Sequence, residues 1–140
     1  MPSPQAPRPL RVMVYSDDRT VRRTVINALG TRPDPELPDL EFIEVATAPV
    51  VHRTADQGGL DLMILDGEAT PAGGLGLARQ LKDEIHRCPP ILVLTGRPQD
   101  AWLATWSRAD GVVGHPIEPG SLAEAVSGLL RTRAAVTARP

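Results

Sequence analysis

The chain has 140 residues, of which 41% are apolar, and a formal net charge of −2 at pH 7. This length predicts one domain with a substantial core, and the near-neutral charge argues against a nucleic-acid partner. No apolar run approaches the roughly 18 residues that a membrane span needs. Cys88 is the only cysteine, which excludes a disulfide framework and favours a reducing, cytoplasmic setting.

Five strands and five helices are predicted in alternation along the chain. The predicted strands are Leu10–Tyr15, Leu40–Ala46, Leu60–Leu65, Ile91–Leu94 and Gly111–Val113, and the predicted helices are about Arg19–Leu29, Pro49–Gln57, about Leu75–His86, Asp100–Ala109 and Ser121–Leu130. Asp17 or Asp18 is expected to cap the first helix, and Gly30 to end it. Residues 1–9 contain four prolines and predict a disordered tail, and residues 131–140 are expected to fray as a flexible C-terminal tail.

The regular alternation of strands and helices is typical of an α/β fold. Strands joined by helical crossovers lie parallel in one sheet, and right-handed crossovers place helices on both of its faces. The predicted strands are mostly apolar, which supports burial of the sheet between two helical layers. The sequence therefore predicts one three-layer α/β domain over residues 10–130.

Acidic and hydroxyl side chains follow three of the predicted strands. Asp17 and Asp18 follow the first strand, Asp66 ends the third and Thr95 ends the fourth. The carboxyl ends of parallel strands share one edge of the sheet, where open α/β folds place their chemistry. Clustered carboxylates repel one another unless a cation compensates, and Mg²⁺ prefers oxygen ligands while keeping several waters.

These residues predict a magnesium site that includes a nucleophilic carboxylate. The candidate ligands are Asp17, Asp66 and the backbone carbonyl of Glu68, with Asp18 as a further candidate. One carboxylate oxygen of Asp66 is the candidate nucleophile toward a phosphoryl donor, because aspartyl phosphate is a known covalent intermediate. Alternatively, Asp17 and Asp66 only begin loops or cap helices, which would explain either acid alone more simply.

Five short segments, taken in order, carry a resemblance to a known family. They are Tyr-Ser-Asp-Asp-Arg-Thr-Val-Arg-Arg at 15–23, Leu-Asp-Leu-Met-Ile-Leu-Asp at 60–66, Gly-Gly-Leu-Gly-Leu at 73–77, Leu-Thr-Gly-Arg at 94–97 and Ala-Asp-Gly-Val-Val-Gly-His-Pro at 109–116. With them the chain resembles a response-regulator receiver domain, the phospho-accepting module of bacterial two-component signalling. The resemblance implies a flavodoxin-like (βα)5 fold with a parallel five-stranded sheet of order 2-1-3-4-5, for which a receiver is a standard example.

The resemblance also implies roles for individual residues and for partners. Asp66 matches the phospho-accepting aspartate, and Thr95 matches the hydroxyl that bonds the phosphoryl group. The implied cofactor is Mg²⁺, and the implied partner is a sensor histidine kinase or a phosphotransfer protein of a phosphorelay. We therefore expect a phosphoprotein that carries 4-aspartylphosphate.

Four positions depart from the family pattern. Receivers carry two adjacent acids after the first strand, and counting back from the arginine pair at 22–23 places Ser16 and Asp17 there. His115 stands at the usual lysine position, and an imidazole is shorter than a lysine side chain and not always charged. The aromatic switch position is Val112, and the proline normally four residues past the aspartate falls five past it, at Pro71. The sequence thus predicts an atypical receiver.

Two tryptophans one helical turn apart mark a candidate contact surface. Trp102 and Trp106 cannot easily share the inner face of their helix with Leu103, and tryptophan is a preferred anchor in protein interfaces. Alternatively, one of them is core and the other lies flat on the helix surface. No DNA-binding segment is expected after residue 130, so output is predicted through a partner protein or self-association, using this helix and the last one.

Three functions compete for this sequence. The first is an atypical single-domain response regulator that acts by binding a partner, and whether phosphorylation controls that binding is left open. A phosphorylation-independent pseudo-receiver module is its variant. The second is a small Mg²⁺-dependent aspartyl phosphatase, with Glu68 as the second acid after Asp66, although no cap domain or catalytic lysine is evident. The third, a flavin or nucleotide binder, lacks a phosphate-binding loop. A non-enzymatic regulator is favoured.

Overall fold

The computed structural model describes residues 8–96 and 101–137. Its strands are β1 Leu10–Tyr15, β2 Leu40–Val45, β3 Leu62–Asp66, β4 Ile91–Thr95 and β5 Gly111–Gly114, and its helices are α1 Arg19–Leu29, α2 Ala48–Gln57, α3 Gly74–Glu84, α4 Ala101–Ser107 and α5 Pro119–Thr137. The predicted order of elements is confirmed. Residues 1–7 and 138–140 of the predicted tails, and the predicted helix start at Asp100, lie outside the described residues.

The five strands form one parallel sheet in the order β2-β1-β3-β4-β5. This confirms the predicted flavodoxin-like fold and its strand order. The chain adds β2 to one side of β1 and then reverses direction to add β3, β4 and β5 on the other side. The reversal lies between β1 and β3, so the carboxyl ends of these two neighbours border the crevice in which such folds place their ligands.

Side chains that alternate along the strands divide the core between the two faces of the sheet. In β1, Val12 and Val14 pack with residues of α1 and α5, whereas Met13 and Tyr15 pack with residues of α2 and α3. Helix α4 lies beside α3. All five residues of β3 are buried, which explains why its first four residues are continuously apolar rather than alternating.

The first helix begins and ends at the residues that the sequence suggests. The Asp18 carboxylate accepts a hydrogen bond of 2.8 Å from the backbone N–H of Thr20, which satisfies a donor that the first turn leaves unpaired. Gly30 ends α1 with φ of 61°, a backbone angle that glycine adopts without steric cost. Of the two predicted caps, Asp18 is the cap, which leaves Asp17 for other contacts.

The last helix differs from its prediction. It continues through Thr137, seven residues beyond the predicted end at Leu130, so the stretch 131–137 is helical rather than a fraying tail. Two ion pairs with distant parts of the chain hold this extension. Arg131 pairs with the buried carboxylate of Asp34, and the Arg133 Nε lies 3.5 Å from an Asp61 oxygen.

None of the helices in the described part of the chain is both long enough and apolar enough to cross a membrane.

Candidate functional site

The ends of four strands surround one cavity of about 460 Å³ at the carboxyl edge of the sheet. Its lining residues come from the last position of β3, from the loops after β1, β3, β4 and β5, and from the first turn of α1. They are Asp17, Asp18, Val21, Asp66, Glu68, Gly96 and His115. The structure therefore brings the predicted acids and the predicted histidine together. Thr95, which was also predicted at this site, does not line the cavity, although its neighbour Gly96 does.

Asp66 is buried, with 3% of its surface exposed, and both of its carboxylate oxygens have neighbours. Oδ2 accepts a hydrogen bond of 2.8 Å from the Ser16 hydroxyl, and Oδ1 accepts one of 2.9 Å from the Glu68 N–H. The Nε2 of His115 lies 3.3 Å from Oδ1. A buried carboxylate needs such partners, because burial without them would carry a large desolvation cost.

Ser16 connects the loop after β1 to the candidate nucleophile. The residue is fully buried, and its hydroxyl donates to Asp66 while accepting a hydrogen bond of 3.0 Å from the Asp18 N–H. In a receiver with the usual acid pair, a carboxylate would occupy this position. The serine is therefore in direct contact with Asp66, and it supplies a neutral donor where a second negative charge would repel that residue.

Asp17 faces the loop after β3 rather than the first turn of its own helix. Its carboxylate accepts hydrogen bonds from the Thr70 backbone N–H at 3.2 Å and from the Thr70 hydroxyl at 3.0 Å. The Tyr15 hydroxyl donates to the Ala72 carbonyl of the same loop at 2.6 Å. Burial raises the pKa of Tyr15, and the charges of Asp17 and Asp66 raise it further, so this phenol keeps its proton and remains a donor.

Two glycines allow the loop after β3 to pack closely against the strands. A Cβ on Gly67 would lie 2.6 Å from the Leu94 carbonyl oxygen, to which the Gly67 N–H donates at 2.7 Å. A Cβ on Gly74 would lie 2.8 Å from the backbone carbonyl of Leu65. Any larger residue would push the loop or the start of α3 away from the strand end that carries Asp66.

Thr95 and His115 are joined through the backbone. The His115 N–H donates to the Thr95 carbonyl at 2.9 Å, which extends the pairing of β4 with β5 to the edge of the cavity. The Thr95 Oγ1 is buried and has no hydrogen-bond partner among the described residues. A buried hydroxyl without a partner is costly and needs an explanation, such as an atom supplied by a ligand.

The Glu68 side chain spans the mouth of the cavity. Its Oε1 accepts a hydrogen bond of 3.0 Å from the Gly96 N–H, which links the loop after β3 to the loop after β4. The described residues contain no group of three or more histidine, cysteine, aspartate or glutamate side chains arranged to hold a metal ion. Two carboxylates and a carbonyl nevertheless match Mg²⁺, which completes its shell with water.

A second feature lies on α4 and β5, away from the cavity. Trp102 and Trp106 are 66% and 44% exposed, and Val112 is 39% exposed, so neither tryptophan is a core residue. The Arg79 guanidinium lies 5.3 Å from the centre of the Trp106 ring and donates to the Trp106 carbonyl at 2.8 Å. We call Trp102, Trp106 and Val112 the tryptophan surface.

Comparison with known proteins identifies the family. No family model matches the chain. Two uncharacterized response regulatory proteins from strains of Mycobacterium tuberculosis are each 58% identical to it over 131 residues, which cover 94% of this chain and 98% of theirs. The chain therefore belongs to the response regulators, and its described residues have the fold of their receiver domain.

Solved structures agree on the fold at much lower sequence identity. A CheY-like receiver domain protein from Methanospirillum hungatei superposes with a TM-score of 0.76 at 16% identity, over 91% of this chain and 98% of that one. A chemotaxis response regulator of Vibrio cholerae gives 0.73 at 18%, over 87% and 99%. The chain spans 50% of a putative two-component response regulator/ggdef domain protein, with a TM-score of 0.77 at 21% identity over 89% of this chain.

Sequence reasoning missed several residues that shape the site. Thr70 holds Asp17, Gly96 holds Glu68, and Val21 lines the cavity. Arg22 served only as a register marker in the sequence, yet its side chain reaches the Ser16 carbonyl. These contacts join residues far apart along the chain or depend on loop geometry, so no local sequence pattern predicts them. The one available signal was the fixed spacing between Arg22 and the acids after β1, which indicates that Arg22 lies close to them.

Proposed function

We propose that this response regulator is controlled by phosphoryl transfer to Asp66. The observation that carries the proposal is the position of the Asp66 carboxylate, which ends the central strand β3 and lines the cavity beside His115. The Thr95 hydroxyl, at the end of the neighbouring strand β4, supports it: it has no partner within residues 8–96 and 101–137, and a phosphoryl oxygen would supply one.

The proposed chemistry uses one Asp66 oxygen as nucleophile. That oxygen attacks the phosphorus of a phosphohistidine on a partner protein, or of a small acyl phosphate. The new O–P bond forms as the bond from phosphorus to the leaving group breaks, and the leaving group takes the electron pair. Negative charge is spread over the phosphoryl oxygens, so donors aimed at them stabilise the transfer. We assign that role to Thr95 and His115.

Mg²⁺ is the proposed cofactor of this site. The Asp17 and Asp66 carboxylates and the Glu68 backbone carbonyl would hold it, while the carboxylate of Asp18 already caps α1. When bound, the ion would supply positive charge next to the phosphoryl group. Ser16 replaces one acid of the usual pair, so this chain offers the ion less negative charge than a receiver with both acids.

The proposed partners follow from the family and from the exposed apolar residues. A sensor histidine kinase or a phosphotransfer protein would donate the phosphoryl group. The tryptophan surface, together with α5, would bind a partner protein or a second copy of the chain, because exposed tryptophans bury much apolar area on association. We assign this protein no catalytic turnover of its own: Glu68, the second acid that an aspartyl phosphatase would need, is held by the Gly96 amide.

Incubation with acetyl phosphate and Mg²⁺ tests the proposal. We expect the intact mass of the wild type to rise by one phosphoryl group and that of Asp66→Asn to stay unchanged, because an amide is a poor nucleophile toward phosphorus. The added mass should be lost at alkaline pH, since an acyl phosphate is labile to base. Mass spectrometry of the intact protein measures all three results.

An exposed acid provides the matched control. Asp56→Asn changes an exposed carboxylate near the end of α2 that does not line the cavity, and it should be phosphorylated like the wild type. Both variants should melt cooperatively, which shows that a missing mass shift reflects chemistry rather than unfolding. A wild type that never gains a phosphoryl group would overturn the proposal and favour the second candidate function, an interaction module that works without phosphorylation.

One observation favours that second candidate. Each Asp66 oxygen already has a partner within the chain, so the carboxylate is stable without a cation or a phosphoryl group. A module of this kind would display the tryptophan surface permanently. The same mass experiment separates the two functions.

A further inference from the structure

A hydrogen-bonded chain runs from the edge strand β2 to the candidate nucleophile. The Glu44 carboxylate on β2 accepts from the Arg22 Nε at 3.2 Å, and the Arg22 Nη1 donates to the Ser16 carbonyl at 2.7 Å. The Ser16 hydroxyl then donates to Asp66 at 2.8 Å. Four residues from two strands, one helix and the loop after β1 are thus connected in sequence, with Ser16 taking part through both its carbonyl and its hydroxyl.

The burial of Arg22 distinguishes it from an ordinary surface arginine. Its side chain is only 14% exposed, whereas the side chain of its neighbour Arg23 is 50% exposed. A guanidinium that is largely removed from water must be hydrogen-bonded to offset the cost of its desolvation. Because the group is planar and rigid, it can bind two acceptors at once with little further loss of conformational entropy. Arg22 is therefore fixed in place, and so is the carbonyl that it holds.

Ser16 needs this external support because a loop begins directly after it. Its N–H donates to the Val45 carbonyl at 3.2 Å, the last backbone contact of β1 with β2. Beyond that hydrogen bond the chain leaves the sheet. The Ser16 hydroxyl nevertheless contacts Asp66, and Asp17 lines the cavity. The guanidinium bond fixes the peptide between these two residues, and hence the direction of both side chains.

We infer that Arg22, supported by Glu44, is a positioning residue for phosphoryl acceptance. It acts through the loop after β1: it holds the Ser16 peptide so that the serine hydroxyl orients Asp66 and the Asp17 carboxylate faces the proposed Mg²⁺ site. It touches neither the nucleophile nor the phosphoryl group. This inference rests on the proposed function for its effect on phosphorylation, but the effect on the loop can be measured separately.

Arg23 supplies a matched control for the experiment. It lies on the same helix and pairs with the same Glu44 carboxylate at 3.4 Å, and that is its one side-chain hydrogen bond within residues 8–96 and 101–137. Arg22→Gln and Arg23→Gln therefore remove the same charge, and each removes an ion pair with Glu44. Only Arg22→Gln also removes the bond to the Ser16 carbonyl. Arg22→Lys keeps the charge but can reach one of the two acceptors at a time.

The first measurement is the rate of phosphoryl mass gain from acetyl phosphate with Mg²⁺, well below the melting temperature of every variant. We expect Arg22→Gln to slow the gain by about tenfold, a typical cost of losing a residue that orients a metal ligand. Arg23→Gln should match the wild type, and Arg22→Lys should fall between them. Equal rates for Arg22→Gln and Arg23→Gln would overturn the inference.

The second measurement needs no phosphoryl donor. Amide hydrogen exchange is followed by NMR at Asp18, which donates to the Ser16 hydroxyl, and at Glu68, which donates to Asp66. Faster exchange at these amides in Arg22→Gln than in Arg23→Gln is expected, with Met63 in the core unchanged in both. A variant that only destabilised the whole fold would speed exchange at Met63 as well.

The two measurements separate failure of this inference from failure of the proposed function. If the wild type gains no phosphoryl mass, the proposed function fails, and amide hydrogen exchange alone then tests the role of Arg22. Equal exchange rates at Asp18 and Glu68 in Arg22→Gln and Arg23→Gln would overturn the inference. If Arg22→Gln does not fold, Arg22→Lys replaces it in both comparisons with Arg23→Gln, with the same expected direction and a smaller effect.

Discussion

At the scale of single residues, His115 is the departure from the family that bears most directly on phosphoryl chemistry. Its backbone N–H is fixed to the Thr95 carbonyl, while its ring Nε2 lies 3.3 Å from Asp66 Oδ1. The imidazole is shorter than a lysine side chain and carries a charge only when it is protonated. The side chain is therefore well placed for Asp66, but it is a weaker partner for an anion than lysine.

Restoring the usual residue should strengthen the site. We expect His115→Lys to increase the fraction of protein that carries a phosphoryl group at steady state with acetyl phosphate, by about tenfold at low occupancy. A hydrogen bond to a charged group contributes about 1.5–3 kcal/mol, which is consistent with that change. Intact mass spectrometry gives the fraction. As a control, His86→Lys changes an exposed histidine in the loop before β4 and should leave the phosphorylated fraction unchanged. No increase of that fraction in His115→Lys would show that position 115 does not contact the phosphoryl group.

At the scale of elements, the sequence predicts most of the fold because strands and helices are local patterns. The buried run that forms β3 can be recognised from neighbouring residues alone, and they also limit the cap of α1 to Asp17 or Asp18, of which the structure selects Asp18. The extension of α5 cannot, because its stability comes from Asp34 and Asp61, which lie far from Arg131 and Arg133 in the sequence. A helix end without apolar periodicity gives no local sign of such partners.

The ion pair that holds this extension should contribute measurably to stability. The Asp34 side chain is 8% exposed and also accepts a hydrogen bond of 2.9 Å from the Glu36 N–H, so removing Arg131 leaves a buried charge without its cation. We expect Arg131→Ala to lower the free energy of unfolding by about 1–3 kcal/mol, the usual cost of an unsatisfied buried polar group. Urea denaturation measures it.

A double-mutant cycle assigns that loss to the pair. Asp34→Asn removes the buried charge, so Arg131→Ala should cost less in the Asp34→Asn background than in the wild type. Additive effects of the two substitutions, or an Arg131→Ala variant as stable as the wild type, would show that the helix extension is stabilised by other contacts.

At the scale of the whole molecule, the sequence predicts which residues meet at the site but not how they are held. Parallel strands bring their carboxyl ends to one edge, so Asp17, Asp66 and His115 converge as expected from topology alone. The burial of the Thr95 hydroxyl without a partner among the described residues, and the bridge from Glu68 to Gly96, depend on rotamers and loop paths. These details follow from tertiary packing, which periodicity does not encode.

The tryptophan surface allows a prediction about assembly. Trp102→Ala/Trp106→Ala should abolish association of the phosphorylated protein. The free energy of unfolding should fall by only about 1–2 kcal/mol, because both side chains are exposed at the surface and the change removes the Arg79–Trp106 contact together with a modest apolar area. Light scattering after size-exclusion chromatography measures the mass of the assembly, and urea denaturation measures stability.

An exposed residue of the same helix serves as the control. Thr105→Ala should behave like the wild type in both measurements, since its side chain is exposed and lies between the two tryptophans in the sequence. A double variant that associates as the wild type does would place the interface elsewhere. Loss of association together with loss of phosphoryl uptake would instead indicate damage to the site.

The ion pair between α3 and the loop before β5 has a practical consequence for acyl-group chemistry. Lys82 carries the only side-chain amine of the chain, is 15% exposed and lies 2.6 Å from an Asp110 oxygen. An amine that is largely buried and paired with a carboxylate is sterically shielded, so it is a poor target for acylating reagents. Mixed anhydrides such as acetyl phosphate can in principle transfer either of their two halves to a protein, and the lysine of this chain offers little competition for the acetyl half.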